Sequence, residues 1–527
     1  MFTITTERLK IAKAAGLMSF ATLISRILGY AKDMILARYF GATGIADTFF
    51  VAFRIPNLLR ELFAEGSMSS AFIPVLTEYK TKNNDKEVKR IVIITFSFIL
   101  ITVGIFCALG IVFSDFIVKV IAPGFVYMPD KFNLTVLLTK IMFPFLLFIS
   151  LAALLMGALN TKKIFFIPSL APAMLNITII VIVILFAYRL NPPILSVAIG
   201  VTLGSFLQFL FQVPSFYKNG YSFGLNLDFS HPALKKMLIL VLPATMGMAV
   251  AQINIFVSTI LASYLEEGSI TYLYYSMRLI QFPIGMFGVA MGMAVLPSLS
   301  EHAAKGDLKG LSDDFTFSLR LLFFVTMPAM VGLIALREPI VNLLFQRGKF
   351  DYVATVGTAN ALLYYSLGIW SIVGVRTITA SFYSMQDTKT PVKIAVVALI
   401  SNVVLSVILM RLMKYAGLAL SNSLASMINF FLLFYFLKRR LSDIMVKKIL
   451  ILALKILFIS IIMGLIGWQI VHGDLWQYSG KITIKVVYLS LTIFLCLFMY
   501  FLLSYIFKIE EYIYILEFIK NKIMRTD

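Results

Sequence analysis

The chain is a succession of long apolar stretches separated by short polar breaks. An apolar run of about 20 residues is long enough for a helix to cross a hydrocarbon core of about 30 Å. The short breaks leave no room for a sizeable soluble domain. We therefore predict an all-α integral membrane protein with about 14 transmembrane helices. The predicted spans are 12–38, 46–76, 91–114, 133–158, 165–188, 193–216, 234–263, 271–298, 315–336, 356–383, 391–413, 416–437, 449–471 and 484–507.

Composition agrees with this pattern. Hydrophobic residues make up 60% of the 527 residues and charged residues only 14%, which would leave a water-soluble globule with too much exposed apolar surface. The two cysteines, Cys107 and Cys496, lie far apart within apolar runs, so we expect packing residues and no disulfide framework. Because Arg26 interrupts the first apolar run and no small-residue cleavage pattern follows, we expect that run to remain as the first span.

The formal net charge of +20 is explained by topology. Basic residues gather in the connections that follow even-numbered spans, and the positive-inside rule then places both termini in the cytoplasm. The basic residues lack the interleaved aromatic residues of a nucleic-acid-binding stripe, so no nucleic-acid partner is expected. The residues that set the orientation are Lys80, Lys82, Lys86, Lys89, Arg90, Lys162, Lys163, Lys218, Lys235, Lys236, Lys438, Arg439, Arg440, Lys447 and Lys448.

A faint internal repeat has an offset of about 225 residues. Arg54 is followed by the sequence FIPVLTEYK, and Arg278 is followed at nearly the same spacing by VLPSLSEHA. Transporters are often built from two repeated halves. This predicts two pseudo-symmetric six-helix lobes and two additional helices. The predicted divisions are 1–225 for the N-terminal lobe, 226–440 for the C-terminal lobe, and 441–527 for the two extra transmembrane helices and a cytoplasmic tail.

Several charged residues lie inside the predicted spans. A charge at the centre of a membrane helix costs about 2.5–3.5 kcal/mol on insertion scales, so such residues face a partner or a wet cavity. We interpret them as the lining of a polar chamber. The alternative is that ion pairs such as Arg26 with Asp33, or Lys32 with Asp47, only hold helices together. The main candidates are Arg26, Lys32, Asp47, Arg60 and Arg278, and the secondary cavity or gate candidates are Asp33, Arg54, Glu65 and Arg376.

The type of charge indicates the substrate class. Guanidinium groups donate two parallel hydrogen bonds to phosphate and stay charged at physiological pH, so an arginine-rich cavity favours an anionic, phosphate-bearing substrate. The chain has no G-x-x-x-x-G-K-[ST] loop, and its three histidines, His231, His302 and His472, fall in loops or at span ends. No nucleophile elbow or metal-ligand cluster is present either. The sequence therefore predicts a transporter rather than an enzyme, without a cofactor.

The run SRILGYAKDMILARYFGATGIADTFFVAFRIPNLLRELFAEGSMSSAFIPVL, together with RLIQFPIGMFGVAMGMAVLPSLS and LFQRGKF, resembles the MurJ (MviN) family of lipid II flippases. The resemblance covers essentially the whole chain. It implies a two-lobed, V-shaped arrangement of twelve helices, with two C-terminal helices that form a groove for a lipid tail. The implied activity is movement of undecaprenyl-pyrophosphate-linked disaccharide-pentapeptide from the inner to the outer leaflet of the bacterial inner membrane by alternating access.

The resemblance also implies roles for individual residues. Family residues required for function match Arg26, Asp47, Arg60 and Arg278, and a family position that is usually arginine is Lys32 here. Some members bind sodium through carboxylates on segments seven and eleven. Those segments carry no Asp or Glu in this chain, and Asn402 and Ser406 stand where such a site would lie, so we do not expect that metal site.

The sequence leaves other functions open. A flippase for another polyprenyl-linked saccharide differs only in its headgroup. An ion-coupled drug antiporter of the same superfamily would favour acidic residues in the cavity. A scaffold that does not transport would use the buried charges as structural pairs. Beyond lipid II and membrane lipids, proteins of cell-wall synthesis are possible partners.

Overall fold

The apolar runs fold into helices that follow one another along the chain. The computed structural model describes the backbone of residues 6–61, 71–82 and 85–523, and their side chains except at 6–15, 242–251, 287–294, 515 and 518–523. These described residues form helices and turns without a strand, as predicted. They divide into two units, Met1–Glu267 and Gly268–Asp527.

The first unit contains ten helices within its described residues. The long helices α8 and α9 pack against each other, and α8 also packs against α1. The helices are α1 (Thr6–Phe40), α2 (Gly44–Arg60), α3 (Ile73–Thr81), α4 (Asp85–Val112), α5 (Ser114–Ile121), α6 (Pro129–Met142), α7 (Pro144–Thr161), α8 (Phe166–Phe186), α9 (Leu195–Lys218) and α10 (Pro232–Ala262).

The second unit also contains ten helices within its described residues. Helix α13 packs against α16 and α18, and α18 packs against α19. The helices are α11 (Ser269–Pro283), α12 (Val289–Ala304), α13 (Leu308–Ala335), α14 (Arg337–Phe345), α15 (Tyr352–Ser366), α16 (Ile369–Ser384), α17 (Lys389–Arg440), α18 (Val446–Val471), α19 (Ile482–Ile506) and α20 (Glu510–Ile523).

Within the described parts of the chain, nine helical stretches are long and apolar enough to cross a membrane, which makes this a multi-pass membrane protein. The total of about 14 crossings stays a prediction. The nine stretches are Asp85–Val112, Pro129–Thr161, Phe166–Phe186, Leu195–Lys218, Leu308–Ala335, Tyr352–Ser384, Lys389–Arg440, Val446–Val471 and Ile482–Ile506.

The two units share one order of helices. In the second unit, a long helix, a short helix and two more helices repeat the order of the first unit at a constant distance along the chain. That distance is close to the repeat offset of about 225 residues found in the sequence. Helices α4, α5, α6 and α8 begin at Asp85, Ser114, Pro129 and Phe166, and α13, α14, α15 and α17 begin 223 residues later at Leu308, Arg337, Tyr352 and Lys389.

Local chemistry fixes several helix boundaries. Side-chain oxygens at helix N-termini satisfy backbone N–H groups that have no partner within the helix. Thr43 accepts a hydrogen bond from the amide of Ala46 at the start of α2, and Asp351 accepts one from Ala354 at the start of α15. Within α17, Lys414 has φ 52° and ψ −131°, so two helices meet there, between the predicted spans 391–413 and 416–437.

Small residues allow α8 and α9 to approach closely. A Cβ added at Gly200 would lie 3.1 Å from the Cα of Ile179, and one at Gly204 would lie 3.0 Å from the carbonyl oxygen of Leu175. Small residues four apart are a common basis for close packing of membrane helices. This glycine pair therefore serves close packing of α8 against α9.

Candidate functional site

The charged segment of α1, residues 26–33, has an exposed cation at one end and an ion pair with a buried carboxylate at the other. Arg26 is exposed and has no hydrogen-bond or ion-pair partner in the part of the chain that the structure describes. Lys32 Nζ lies 3.0 Å from an oxygen of Asp33, whose side chain is fully buried. Asn176 of α8 donates to the carbonyl of Ser25 at 3.4 Å, which fixes this turn of α1 against α8. This segment therefore holds a neutralised pair about two turns from a cation available to a ligand.

Asp47 lies in the first turn of α2 and is 1% exposed. Its carboxylate accepts a hydrogen bond from Lys131 Nζ of α6 at 3.4 Å. The same ammonium lies 4.3 Å from the centre of the Phe125 ring, a geometry that adds a cation–π attraction. The ion pair therefore joins the start of α2 to the start of α6.

A close contact joins the turn Pro123–Tyr127, which carries Phe125, to the end of α10. The amide of Gly124 donates to Ser263 Oγ at 3.1 Å. A Cβ at Gly124 would lie 2.2 Å from the carbonyl oxygen of Ser263, so only glycine fits this approach. The Asp47–Lys131 pair is thus built into the packing of α2, α6 and α10.

Arg60 ends α2 in a polar cluster. Its Nε donates to Asn57 Oδ1 at 3.1 Å, and its Nη2 lies 3.7 Å from a carboxylate oxygen of Glu61. Gln252 of α10 donates to the other Glu61 oxygen. The Arg60 and Glu61 side chains are 23% and 33% exposed, so both remain accessible to a polar ligand. The cluster orients the guanidinium and partly neutralises it without burying it.

Two further candidates of the first unit are Arg54 and Glu65. Arg54 lies half-buried on α2, two residues before Pro56, which is buried within the helix. Glu65 lies outside the described residues.

Near the start of α10, the ammonium of Lys236 donates a hydrogen bond to the carboxylate of Glu78 on α3 at 2.6 Å. Together with Lys82, Lys236 holds the pKa of Glu78 below its ordinary value.

The second unit holds Arg278 and Arg376. Arg278 is half-buried on α11, and that helix is fixed to α15 because Ser276 Oγ donates to the carbonyl of Thr358 at 2.8 Å. Arg376 is exposed on α16. Each arginine therefore lies on a helix that packs within this unit.

No cluster of His, Cys, Asp or Glu side chains able to hold a metal ion occurs among the described residues. At the position considered for sodium, Ser406 Oγ donates to Asn402 Oδ1 at 3.4 Å, and both side chains are 1% exposed.

Three contributing residues were missed from the sequence. Lys131 was not selected because it lies beside a predicted span rather than inside one. Asn57 and Gln252 are neutral, and only their position beside Arg60 and Glu61 gives them importance. A signal for Lys131 did exist, since an unpaired acid inside an apolar run requires a cation from another helix.

Comparison with known proteins decides the family. The family model described as "Lipid II flippase MurJ" matches residues 36–505. A protein of Buchnera aphidicola subsp. Schizaphis graminum named "Probable lipid II flippase MurJ" is 37% identical over 462 residues, covering 86% of this chain and 90% of that protein. The chain belongs to the MurJ family.

Solved structures agree with this MurJ assignment. One described as "Lipid II flippase MurJ, inward closed conformation" has a TM-score of 0.76 and 29% identity, covering 93% of this chain and 98% of that chain. An inward-facing multidrug resistance MATE transporter has a TM-score of 0.66 at 14% identity, covering 82% and 98%. The second likeness shows a shared fold only.

Proposed function

We propose that this chain is a lipid II flippase that moves the lipid-linked peptidoglycan precursor from the cytoplasmic to the outer leaflet of the inner membrane. Membership of the MurJ family carries the proposal. It acts as a membrane transporter and not as an enzyme. Both termini lie in the cytoplasm, as the distribution of basic loop residues indicates.

The charged residues are proposed to bind the pyrophosphate headgroup. Arg26 is exposed and unpaired among the described residues, and Arg60 is accessible within a polar cluster. Moving a bare dianion to the middle of a membrane is prohibitive, and fixed guanidinium groups compensate for its lost hydration. Arg278 supplies the same chemistry from the second unit, and Lys32 supplies a point charge.

Alternating access is the mechanism we propose. Lobes 1–225 and 226–440 rock against each other, while 441–527 guides the polyprenyl tail. The candidates Asp33, Arg54, Glu65 and Arg376 are proposed to line the cavity or its gate. Among them, Asp33 neutralises Lys32, so its role is to set the charge that the headgroup meets.

The charge balance favours an anionic substrate over a cationic drug. The candidates Arg26, Lys32, Arg60 and Arg278 stand against the acids Asp33 and Asp47, and each of these two acids already has a lysine partner. A cavity for cationic drugs would require unpaired acids. Proteins of cell-wall synthesis are proposed as further partners on the basis of the pathway alone.

The experiment replaces Arg26, Arg60 and Arg278 singly by alanine in a cell depleted of its own flippase. We expect loss of growth and loss of lipid II exposure at the outer leaflet, with unchanged protein levels on immunoblots. Arg38→Ala and Arg411→Ala are matched controls, because both arginines are exposed on α1 and α17 and neither is a candidate. Full complementation by all three test variants would refute the proposed role.

A further inference from the structure

The second unit contains a cavity that the proposed transport mechanism does not use. It lies where α13 and α18 end and α14 and α15 begin, and its volume is about 240 Å³. We call it the α18 pocket, and the residues that matter here are Arg337, Glu338, Tyr352, Trp468, Asp474 and Trp476. Drug-sized ligands occupy pockets of about 300–1,000 Å³, so this one suits a smaller molecule.

A buried polar network fixes one wall of the α18 pocket. The ammonium of Lys485, only 3% exposed, donates to Asn342 Oδ1 at 2.8 Å. Asn342 donates in turn to the carbonyl of Trp476 at 2.5 Å, and Gln346 donates to the carbonyl of Gln477 at 2.8 Å. The loop between α18 and α19 is therefore fastened to α14, and the pocket is preformed.

Two donors at the α18 pocket lack acceptors. Trp476 is 3% exposed, and neither its Nε1 nor the buried Nε of Arg337 has a hydrogen-bond partner in the described structure. Both atoms are almost inaccessible, so the donor that a ligand in the pocket meets is the rest of the Arg337 guanidinium, which requires acceptor oxygens. The Glu338 and Asp474 carboxylates accept only, so the same ligand must also donate.

These requirements exclude two common ligand classes. An anion would be repelled by the carboxylates of Glu338 and Asp474. An organic cation would be repelled by the guanidinium of Arg337 and by Lys485, whose ammonium is 5.8 Å from the Trp476 ring. Hydroxyl groups both donate and accept, and the C–H face of a sugar ring packs well on indole.

We propose that the α18 pocket binds a neutral saccharide, about one pyranose ring in size. Trp468, which is 44% exposed, contacts the ring face, Arg337 donates to its oxygens, and Glu338 and Asp474 accept from its hydroxyl groups. With the predicted cytoplasmic termini, this end of α18 faces the outside of the cell, where cell-wall glycans lie. The saccharide binds here as a free glycan or as part of a lipid-linked headgroup.

Tryptophan fluorescence tests the proposal directly. The chain has three tryptophans, and two of them line the pocket. In the purified full-length Trp370→Phe variant, the remaining indole emission comes from Trp468 and Trp476. We expect a saturable change with N-acetylglucosamine in the millimolar range and none with the acyclic polyol mannitol, trialanine or phosphocholine.

Conservative variants link the signal to the pocket. Glu338→Gln and Asp474→Asn in the same background should weaken N-acetylglucosamine binding at least tenfold, because each replaces an acceptor-only carboxylate. A matched control is Asp443→Asn, which changes an exposed acid in the loop between α17 and α18. Absence of a saturable change, a response equal to that with mannitol, or a response to trialanine or phosphocholine instead would overturn the proposal.

The source of the saccharide is read from transport assays, whose outcome is independent of the binding test. If Asp474→Asn abolishes sugar binding and also slows lipid II export, the pocket takes the transported headgroup. If export is unchanged, the pocket takes a free glycan, and competition by soluble cell-wall fragments in the fluorescence assay should follow. Either result supports a saccharide site, whereas competition by a sugar-free polyprenyl pyrophosphate would contradict it.

Discussion

The Asp47–Lys131 pair should be a major source of stability in the first unit. The perturbation is Lys131→Met, which keeps an apolar stem of similar length and removes the ammonium. The side chains of Lys131 and Asp47 are 8% and 1% exposed, so solvent screens their attraction little. After the substitution, the Asp47 carboxylate stays buried without this cation.

The expected magnitude follows from the geometry. At the observed 3.4 Å separation, two unit charges attract by about 5 kcal/mol at an effective dielectric constant of about 20. Desolvation offsets part of this attraction, and breaking buried pairs costs about 3–5 kcal/mol in measured cases. We expect Lys131→Met to destabilise the unit by about 3 kcal/mol, which lowers Tm by about 6–12 °C in a domain of this size.

Buried thiols provide the assay. Cys107 is in the first unit and Cys496 in the second, and each is 6% exposed. In a Cys496→Ser background, a thiol-reactive dye reports unfolding through Cys107 alone. A double-mutant cycle then compares Lys131→Met, Asp47→Asn and the combined variant, which should lose at least about 1 kcal/mol less than the sum of the single variants.

Lys119→Met is the matched control, because Lys119 is exposed on α5 and lies 6.0 Å from the Phe132 ring. It should change stability by no more than about 0.5 kcal/mol. The stabilising role of the pair is wrong if Lys131→Met lowers stability no more than Lys119→Met does. It is also wrong if the stability effects of Lys131→Met and Asp47→Asn simply add in the combined variant. Recovery of flipping in the combined variant relative to Asp47→Asn would show that Asp47 acts through Lys131 rather than on the substrate.

Three further outcomes are expected. Gly124→Ala should lower stability by about 1–3 kcal/mol, seen as a lower thermal midpoint, because the new Cβ would lie 2.2 Å from a carbonyl oxygen. The control is Gly104→Ala, whose Cβ meets nothing within 4 Å and which should be neutral or stabilising. Asn342→Ala should lower the stability of the second unit by about 2–3 kcal/mol, because it removes an acceptor of the buried Lys485. Dye access to Cys496 in a Cys107→Ser background measures this loss. An unchanged thermal midpoint would exclude the network as a stabilising element. Asp307 caps α13, and hydrogen bonds from a backbone amide and a histidine lower its pKa. The contribution of ionised Asp307 to stability is therefore complete above pH 3.8, its ordinary pKa, and is lost as the pH falls through the lower pKa of the folded state. Asp307→Asn caps the helix without titrating, so it should flatten the dependence of the thermal midpoint on acid pH. Equal slopes of the midpoint against pH in the two proteins would refute this role.

The sequence by itself determined the fold class and the approximate positions of the long apolar helices. Apolar runs long enough to cross a bilayer can satisfy their backbone hydrogen bonds only within themselves, so length and hydropathy were sufficient. The break near Lys414 was placed correctly for the same reason, because it interrupts an apolar pattern at local range. The need for partners at the buried charges was also visible, since an unpaired charge in a membrane span is costly.

Only the tertiary structure decided which partners those charges have. Asp47 pairs with Lys131, which is 84 residues away, and Glu61 accepts from Gln252 at a separation of 191 residues. The α18 pocket likewise combines residues from the ends of four helices. Helical periodicity reports which face of one helix is polar, but the choice of neighbour depends on how packed side chains from distant segments fill the same space.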